Sequence, residues 1–168
     1  MPELPGIEFR QFQPDDLDEV LTLEQSAYGN PELCGKLVMN LSDLQDIPGR
    51  YFPSGNFLVG VHDSRIVAMG GVRQKLDNLG EPIEGVATIG RMRTEFGLQG
   101  CGIGRRLLET LEAQARALRY GSVVLSTSVE QEKAIRLYEL NGYRMTHCEP
   151  YRVMELHFAK ALNLRSDS

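Results

Sequence analysis

The sequence predicts a mixed α/β domain, with a mixed central sheet of about six to seven strands flanked by about four helices. Three observations carry the prediction. An apolar strand pattern over residues 86–94, a glycine-rich turn, a long amphipathic helix pattern over 102–120 and the run Val123-Val124-Leu125 make a strand–helix–strand unit. Its two strands should be parallel, because a crossover helix joins them. The apolar runs 56–62 and 65–75 are separated only by Asp63-Ser64, the length of a two-residue hairpin connection. Residues 143–149 and 151–160 supply two last strands, with Pro150 at their turn.

The remaining elements follow in order. Ile7-Glu8-Phe9-Arg10-Gln11-Phe12 alternates with period two and reads as a first strand. Pro14-Asp15-Asp16 opens a helix, and Leu17, Val20, Leu21 and Leu23 supply its apolar side. Between Ser26 and Gly55 the pattern is least regular. Leu33, Leu37, Leu41 and Leu44 restore helical spacing, and Pro48-Gly49 and Pro53-Ser54-Gly55 break the chain afterwards. Tyr28, Tyr51 and Phe52 serve there either as core or as substrate contacts. Residues 76–84 form a polar loop into the strand 85–94, where Gly90 marks a bulge or a close backbone approach. In the long helix Ile103, Leu107, Leu108, Leu111, Ala115 and Leu118 make the apolar side, with Glu112 and Arg116 a solvated pair opposite. A shorter helix over 130–141 is stopped by Asn141-Gly142, and residues 163–168 form a polar C-terminal tail.

The 168 residues read as one domain over 1–168, without repeat or linker. A net charge of -5 with no basic run argues against nucleic acid or an anionic membrane as partner. No apolar stretch approaches the roughly 20 residues of a membrane span. Met1-Pro2-Glu3-Leu4-Pro5 lacks the basic and apolar regions of a signal peptide, so the expected location is cytoplasmic. Cys34, Cys101 and Cys148 are odd in number and far apart, as reduced thiols are. His62, His147 and His157 show no ligand spacing, and no metal is expected. A homodimer is left open.

The chemistry concentrates in Gln99-Gly100-Cys101-Gly102-Ile103-Gly104. Three glycines in five positions let the backbone approach a ligand and gather amide N–H groups into one volume. The helix begins inside the run, so its unpaired N–H groups and positive dipole end add to an anion cradle, and a pyrophosphate suits it. Arg105 and Arg106 follow, in reach of further phosphate oxygens. A tight turn without ligand is the plainer reading of such glycines. A P-loop would need Lys then Ser or Thr after its last glycine, and a dinucleotide fold an acidic residue closing the next strand, where hydroxyls stand instead.

These residues resemble the GNAT-type N-acetyltransferase family. Its cofactor signature is Arg or Gln, two residues, Gly, one residue, then Gly or Ala, and Gln99, Gly102 and Gly104 match it. Thr88-Ile89-Gly90-Arg91-Met92-Arg93-Thr94 looks like the family's preceding strand, and residues 131–143 resemble its second signature. The resemblance is strong from about Val86 to Tyr143 and topological before that. It implies the GNAT fold, with parallel strands that splay apart to admit the pantetheine arm of acetyl-CoA. By the same resemblance Met92, Arg93 and Thr94 offer backbone to that arm, Gln99, Gly100, Cys101, Gly102, Ile103, Gly104 and Arg105 hold the pyrophosphate, and Gln131, Ala134 and Tyr138 complete the cofactor site. Arg93 reads otherwise as a surface charge. Gln131 departs from the family's more usual Asn.

Acetyl transfer to an amine needs a positioned thioester, a neutral amine, an oxyanion donor and a proton for the departing thiolate. Tyr138 stands where the family carries its tyrosine, and a phenol protonated at neutral pH can supply that proton. Its plainer role is packing beside Ala134. Cys101 reads as a turn residue rather than a nucleophile, because transfer in this family is direct. Relatives that acetylate protein lysines often carry Glu where Thr88 stands, and Glu84, four residues earlier, is the remaining candidate base unless it is merely solvated. Thr127-Ser128 followed by Gln131 looks more like the camello-type branch and small-molecule acetylating relatives than the ribosomal or histone branches. By the same resemblance the irregular region from Ser26 to Gly55 falls where the family builds its acceptor wall, and with an acidic chain the expected acceptor is a primary amine of a small molecule. A peptide amine, a non-catalytic acetyl-CoA sensor and a plain structural domain are the other readings.

Overall fold

Seven strands form one mixed sheet in the order β1-β2-β3-β4-β5-β7-β6. They are β1 (Glu8–Gln11), β2 (Asn56–His62), β3 (Arg65–Leu76), β4 (Pro82–Thr94), β5 (Ser122–Ser128), β6 (Arg144–Pro150) and β7 (Met154–Ala161). A computed structural model of the chain describes residues 4–37, 40–150 and 154–164. Among these, the helices are α1 (Leu17–Ser26), α2 (Pro31–Leu37), α3 (Ile47–Tyr51), α4 (Ile103–Ala117) and α5 (Glu132–Leu140), with short 3-10 turns before α1, α3 and α4. Every neighbouring pair of strands is antiparallel except β4 and β5. The β2–β3 connection is the two-residue turn expected, with Asp63 at φ 49 and Ser64 at φ 63. Both left-handed residues match the twist of the strands they join.

Alternation on the strands divides the core in two. Leu58 faces α4 and packs with Val67, Val72, Ala87, Ile89, Val123 and Leu125, while its neighbours Phe57 and Val59 face α1 and α3 with Met69. From α4, Ile103, Leu107, Leu108, Leu111 and Ala115 are buried, as their spacing predicts. Leu118 is not: α4 ends at Ala117, and Leu118 is 49% exposed.

Four further expectations are corrected. Glu112 is buried rather than solvated: it receives Lys160 at 2.9 Å and the Tyr143 hydroxyl at 3.1 Å besides Arg116 at 3.5 Å. The Leu33–Leu44 periodicity is not one helix; α2 buries none of its residues, and a separate 3-10 turn at Leu44–Asp46 leads into α3. Pro48-Gly49 starts a helix instead of ending one, since Pro48 lies in the first turn of α3 and the Asp46 side chain caps it by accepting from Gly49 N–H. Pro150 is paired with Met154 at the end of β6. The turn that follows, the expected strand start at Tyr151, the first three residues and the tail beyond Leu164 lie outside the described residues. No helix among the described residues is long and apolar enough to cross a membrane.

Candidate functional site

β4 and β5 run together for three residues only. Val86, Ala87 and Thr88 pair with Ser122, Val123 and Val124, yet β4 continues to Thr94 and β5 to Ser128. Beyond Thr88 the two parallel strands part. The cause lies on β4: its register against β3 passes from Gly71↔Gly90 to Met69↔Arg93, so β4 carries one residue more than its partner. Arg91 is in the left-handed region, at φ 57. A bulge of this kind bends the strand and increases its twist. Gly90, singled out in the sequence, borders the bulge.

A left-handed arginine is strained by on the order of 1–3 kcal/mol and persists only where its surroundings hold it. Arg91 is so held. It donates to both oxygens of Asp43 at 2.6 and 3.0 Å, to Glu24 Oε1 at 2.9 Å and to the Asn40 carbonyl at 2.5 Å. Glu24, fully buried on α1, also receives Arg93 at 2.9 Å, and the Arg93 guanidinium lies 5.0 Å from the Tyr28 ring centroid. Arg93 is therefore an internal ion-pair member and not a surface charge. Burial alone would raise the pKa of Asp43, but hydrogen bonds from Arg91 and Tyr51 hold it below the usual carboxylate value. Burial would lower the pKa of Arg93, but Glu24 and Tyr28 together outweigh it and hold it above its ordinary value.

The parted strands open a cavity of about 770 Å³. Met92, Arg93 and Thr94 line it from β4, Gln99, Gly100, Gly102, Gly104 and Arg105 from the turn and α4, Ala134 and Tyr138 from α5, and Gln131 from the residue just before α5. These are the expected cofactor residues except Cys101 and Ile103. Ile103 is 1% exposed in the core, and Cys101 packs against that core while its carbonyl accepts from Leu4 N–H at 3.3 Å. The buried Ile103 side chain is thus out of reach of a ligand, while Cys101 is half-buried.

The turn has the conformation of an anion cradle. Gly100 and Gly102 are left-handed at φ 83 and 80, and Gly102 immediately precedes α4. A Cβ built on Gly100 would meet nothing within 4 Å, so the space beside it is open to a ligand. Gly104 has a different reason to be small: a Cβ there would come 3.3 Å from Leu137 Cδ2 on α5. The Gln99 side chain braces the turn, its amide donating to Ala27 O at 2.9 Å and Thr94 O at 3.2 Å. Gln131 accepts from Thr127 Oγ1 at 2.8 Å through its carbonyl oxygen, a bond that leaves its amide nitrogen unused.

Tyr138 is 7% exposed and rests edge-on against Tyr143, ring centroids 5.9 Å apart. Burial pushes its hydroxyl pKa up against the opposing charge of Arg93, so the phenol keeps its proton at neutral pH. Glu84 is not brought to the cavity. It is exposed, and it precedes Met92 by eight residues, about 26 Å of extended strand. Gly85, at φ 73, also interrupts the alternation that placed Glu84 with Thr88.

Other residues line the cavity that the sequence did not place in the cofactor site, although Tyr28 was a candidate substrate contact. Tyr28 and Leu33 come from the irregular region, and Phe96 and Leu98 from the turn. Lys133 and Arg136 also line the cavity, and with Arg105 they make it basic despite Glu130 and Glu132. In the sequence they resemble any solvated helix face; their meaning follows from where α5 is placed.

The model of the acetyltransferase (GNAT) family matches residues 17–143. A relative named IAA acetyltransferase, from Azospirillum brasilense, is 34% identical over 104 residues, which are 62% of this chain and 62% of that protein. Among solved structures, an acetyltransferase of the GNAT family from Staphylococcus aureus superposes with a TM-score of 0.79 at 19% identity, covering 94% of this chain and 100% of that one. The ribosomal-protein-alanine N-acetyltransferase from Brucella melitensis does so with a TM-score of 0.73 at 18% identity, covering 92% and 99%. At such identities the likeness speaks for the fold.

Proposed function

Starting from a chain that belongs to the acetyltransferase (GNAT) family, we propose that it transfers the acetyl group of acetyl-CoA directly to a primary amine of a small molecule. One observation carries the reading: the parted strands, the left-handed glycine turn and Tyr138 all border one cavity. The thioester supplies the acetyl group; the residues of the chain position and protonate. Backbone N–H groups of residues 100–104 and the first turn of α4 hold the pyrophosphate, and Arg105 adds charge. The edge of β4 beyond Thr88, unpaired on the β5 side, offers backbone groups to the amides of the pantetheine arm. Tyr138 holds a proton for the departing sulfur, and its raised pKa keeps that proton in place until a thiolate develops.

The small-molecule acceptor is supported by charge at the bulge. Glu24 and Asp43 are both committed to Arg91 or Arg93, so neither acts there as a receptor for a lysine-rich peptide. A protein amine is the second reading, favoured by the fold relative named for ribosomal-protein alanine. Thiol release from acetyl-CoA, screened over amino acids, polyamines, aminoglycosides and peptides, decides between them. Turnover of small amines is expected. Turnover of peptides alone would overturn the acceptor assignment, and thermal stabilisation by CoA without thiol release for any amine would make the chain a sensor.

A further inference from the structure

β6 lies at the edge of the sheet, all seven of its residues exposed, with β7 as its neighbour. The register sets His147 opposite His157 and Glu149 opposite Glu155. Residues ten positions apart in the chain, without any ligand spacing along it, are thereby brought onto one face of the sheet. The His147 and His157 rings stack with centroids 4.2 Å apart and planes 7° from parallel. Glu149 spans their edges, with Oε1 3.3 Å from His147 Nε2 and Oε2 3.6 Å from His157 Nε2.

The protons of this cluster are few. Thr146 has one hydroxyl proton, which it donates to the His157 carbonyl at 3.3 Å. Its oxygen also lies 3.0 Å from His147 Nδ1, so that one ring nitrogen of His147 is engaged while Nε2 faces the Glu149 carboxylate. His157 Nε2 is sealed from solvent and has no hydrogen-bond partner. Glu155, directly opposite Glu149, adds a second negative charge, and like charges so placed destabilise a strand pair. An unpartnered imidazole nitrogen beside a carboxylate calls for a cation. Among the described residues, His147, Glu149 and His157 offer three ligand atoms all within 4.8 Å of one another. Zinc sits about 2.0–2.2 Å from such ligands, which small side-chain rotations on an exposed edge would provide.

We propose that His147, Glu149 and His157 bind a divalent transition-metal ion of the zinc class, clipping edge strand β6 to β7. Two imidazoles and one carboxylate suit zinc better than magnesium or calcium, which prefer oxygen ligands throughout. Water fills the fourth position, since Glu155 accepts from the Ser126 hydroxyl at 2.6 Å. The site is separate from the cavity and does not depend on the acetyl-transfer reading. The alternative cation is a proton shared between imidazole and carboxylate.

The test uses the full chain, stripped with a chelator and titrated with ZnCl2 alone, without acetyl-CoA. Calorimetry is expected to show one saturable site, with a rise in Tm on zinc addition. His157→Asn and Glu149→Gln, on different strands, should each weaken binding by at least about tenfold and remove the rise in Tm. Cys148→Ser, which removes the cysteine of β6, should bind as the parent does. Circular dichroism of the metal-free variants checks that both are folded. No saturable binding by the parent chain would leave the shared proton as the occupant and overturn the proposal; so would binding that survives both substitutions.

Discussion

Glu24 and Arg93 meet at 2.9 Å between α1 and β4, and the same carboxylate oxygen receives Arg91, also at 2.9 Å. One buried atom thus ties the first long helix to both sides of the β4 bulge. Removing the carboxylate leaves the Arg93 guanidinium, with little access to water, without its ion-pair partner while Arg91 keeps Asp43, and breaking a buried pair in this way costs about 3–5 kcal/mol. Glu24→Leu should lower unfolding stability by that amount in urea denaturation and weaken acetyl-CoA binding with it. A stability change within about 0.5 kcal/mol would show that the bulge holds without Glu24.

Tyr138→Phe keeps the ring contacts with Tyr143 and Phe158 and deletes only the hydroxyl. Turnover should fall about 10- to 100-fold or more while affinity for acetyl-CoA barely changes. Steady-state kinetics paired with calorimetry separates the two, and unchanged kcat would leave Tyr138 as packing.

Gly104→Asp is the cleanest block of the cradle. Unlike Gly100 and Gly102, Gly104 is not left-handed, so a side chain there is not strained by its backbone; the new Cβ need only displace the end of Leu137. The added carboxylate opposes a bound pyrophosphate. Acetyl-CoA binding should vanish by calorimetry with the circular dichroism spectrum retained, and persistent affinity would place the phosphates elsewhere.

Two carboxylates predict the acid limb of stability. Asp16 titrates below its ordinary value of 3.8, chiefly through its hydrogen bonds from Arg10. Asp43 does so because Arg91 and Tyr51 outweigh its burial. A carboxyl with a depressed folded pKa takes up its proton more readily when unfolded, so its contribution is complete above 3.8 and is lost as the pH falls through the folded value. Urea midpoints should therefore drop below about pH 4, and Asp16→Asn should make that drop shallower. An unaltered slope in the variant would remove Asp16 from the account.

Glu84→Ala should leave kcat/KM within about twofold for any acceptor, since the carboxylate stands far along β4 from the cavity. A tenfold loss or more would return Glu84 to the role of base.

The parts of the fold that were legible in the sequence are those with local causes. Asp63-Ser64 is a hairpin connection by length, Gly102 and Gly104 mark a helix start, and alternating or helical spacing shows which of Leu107, Leu108 and Leu111 face inward. Arg91 and Arg93 show why the rest was hidden. Both look like exposed charges on a strand until α1 is laid across them, because their partners Glu24 and Asp43 lie 67 and 48 positions away from Arg91. The same holds for Glu112, whose i+4 neighbour suggested a surface pair while Tyr143 and Lys160 were out of view, and for Lys133 and Arg136 on the cavity wall. Glu84 failed for a smaller reason: one left-handed glycine beside it cancels the alternation on which its placement rested.

Arg91 makes the slot and the wall beside it one mechanical part. The opening between β4 and β5 exists because a single peptide unit is turned over, and that unit is kept turned by Asp43 before α3 and Glu24 on α1. Segments transplanted from a relative to change the acceptor would bring their own residues to those two positions. Without both acids the strand could straighten and zip against β5, so remodelling one compartment of this enzyme means rebuilding the other.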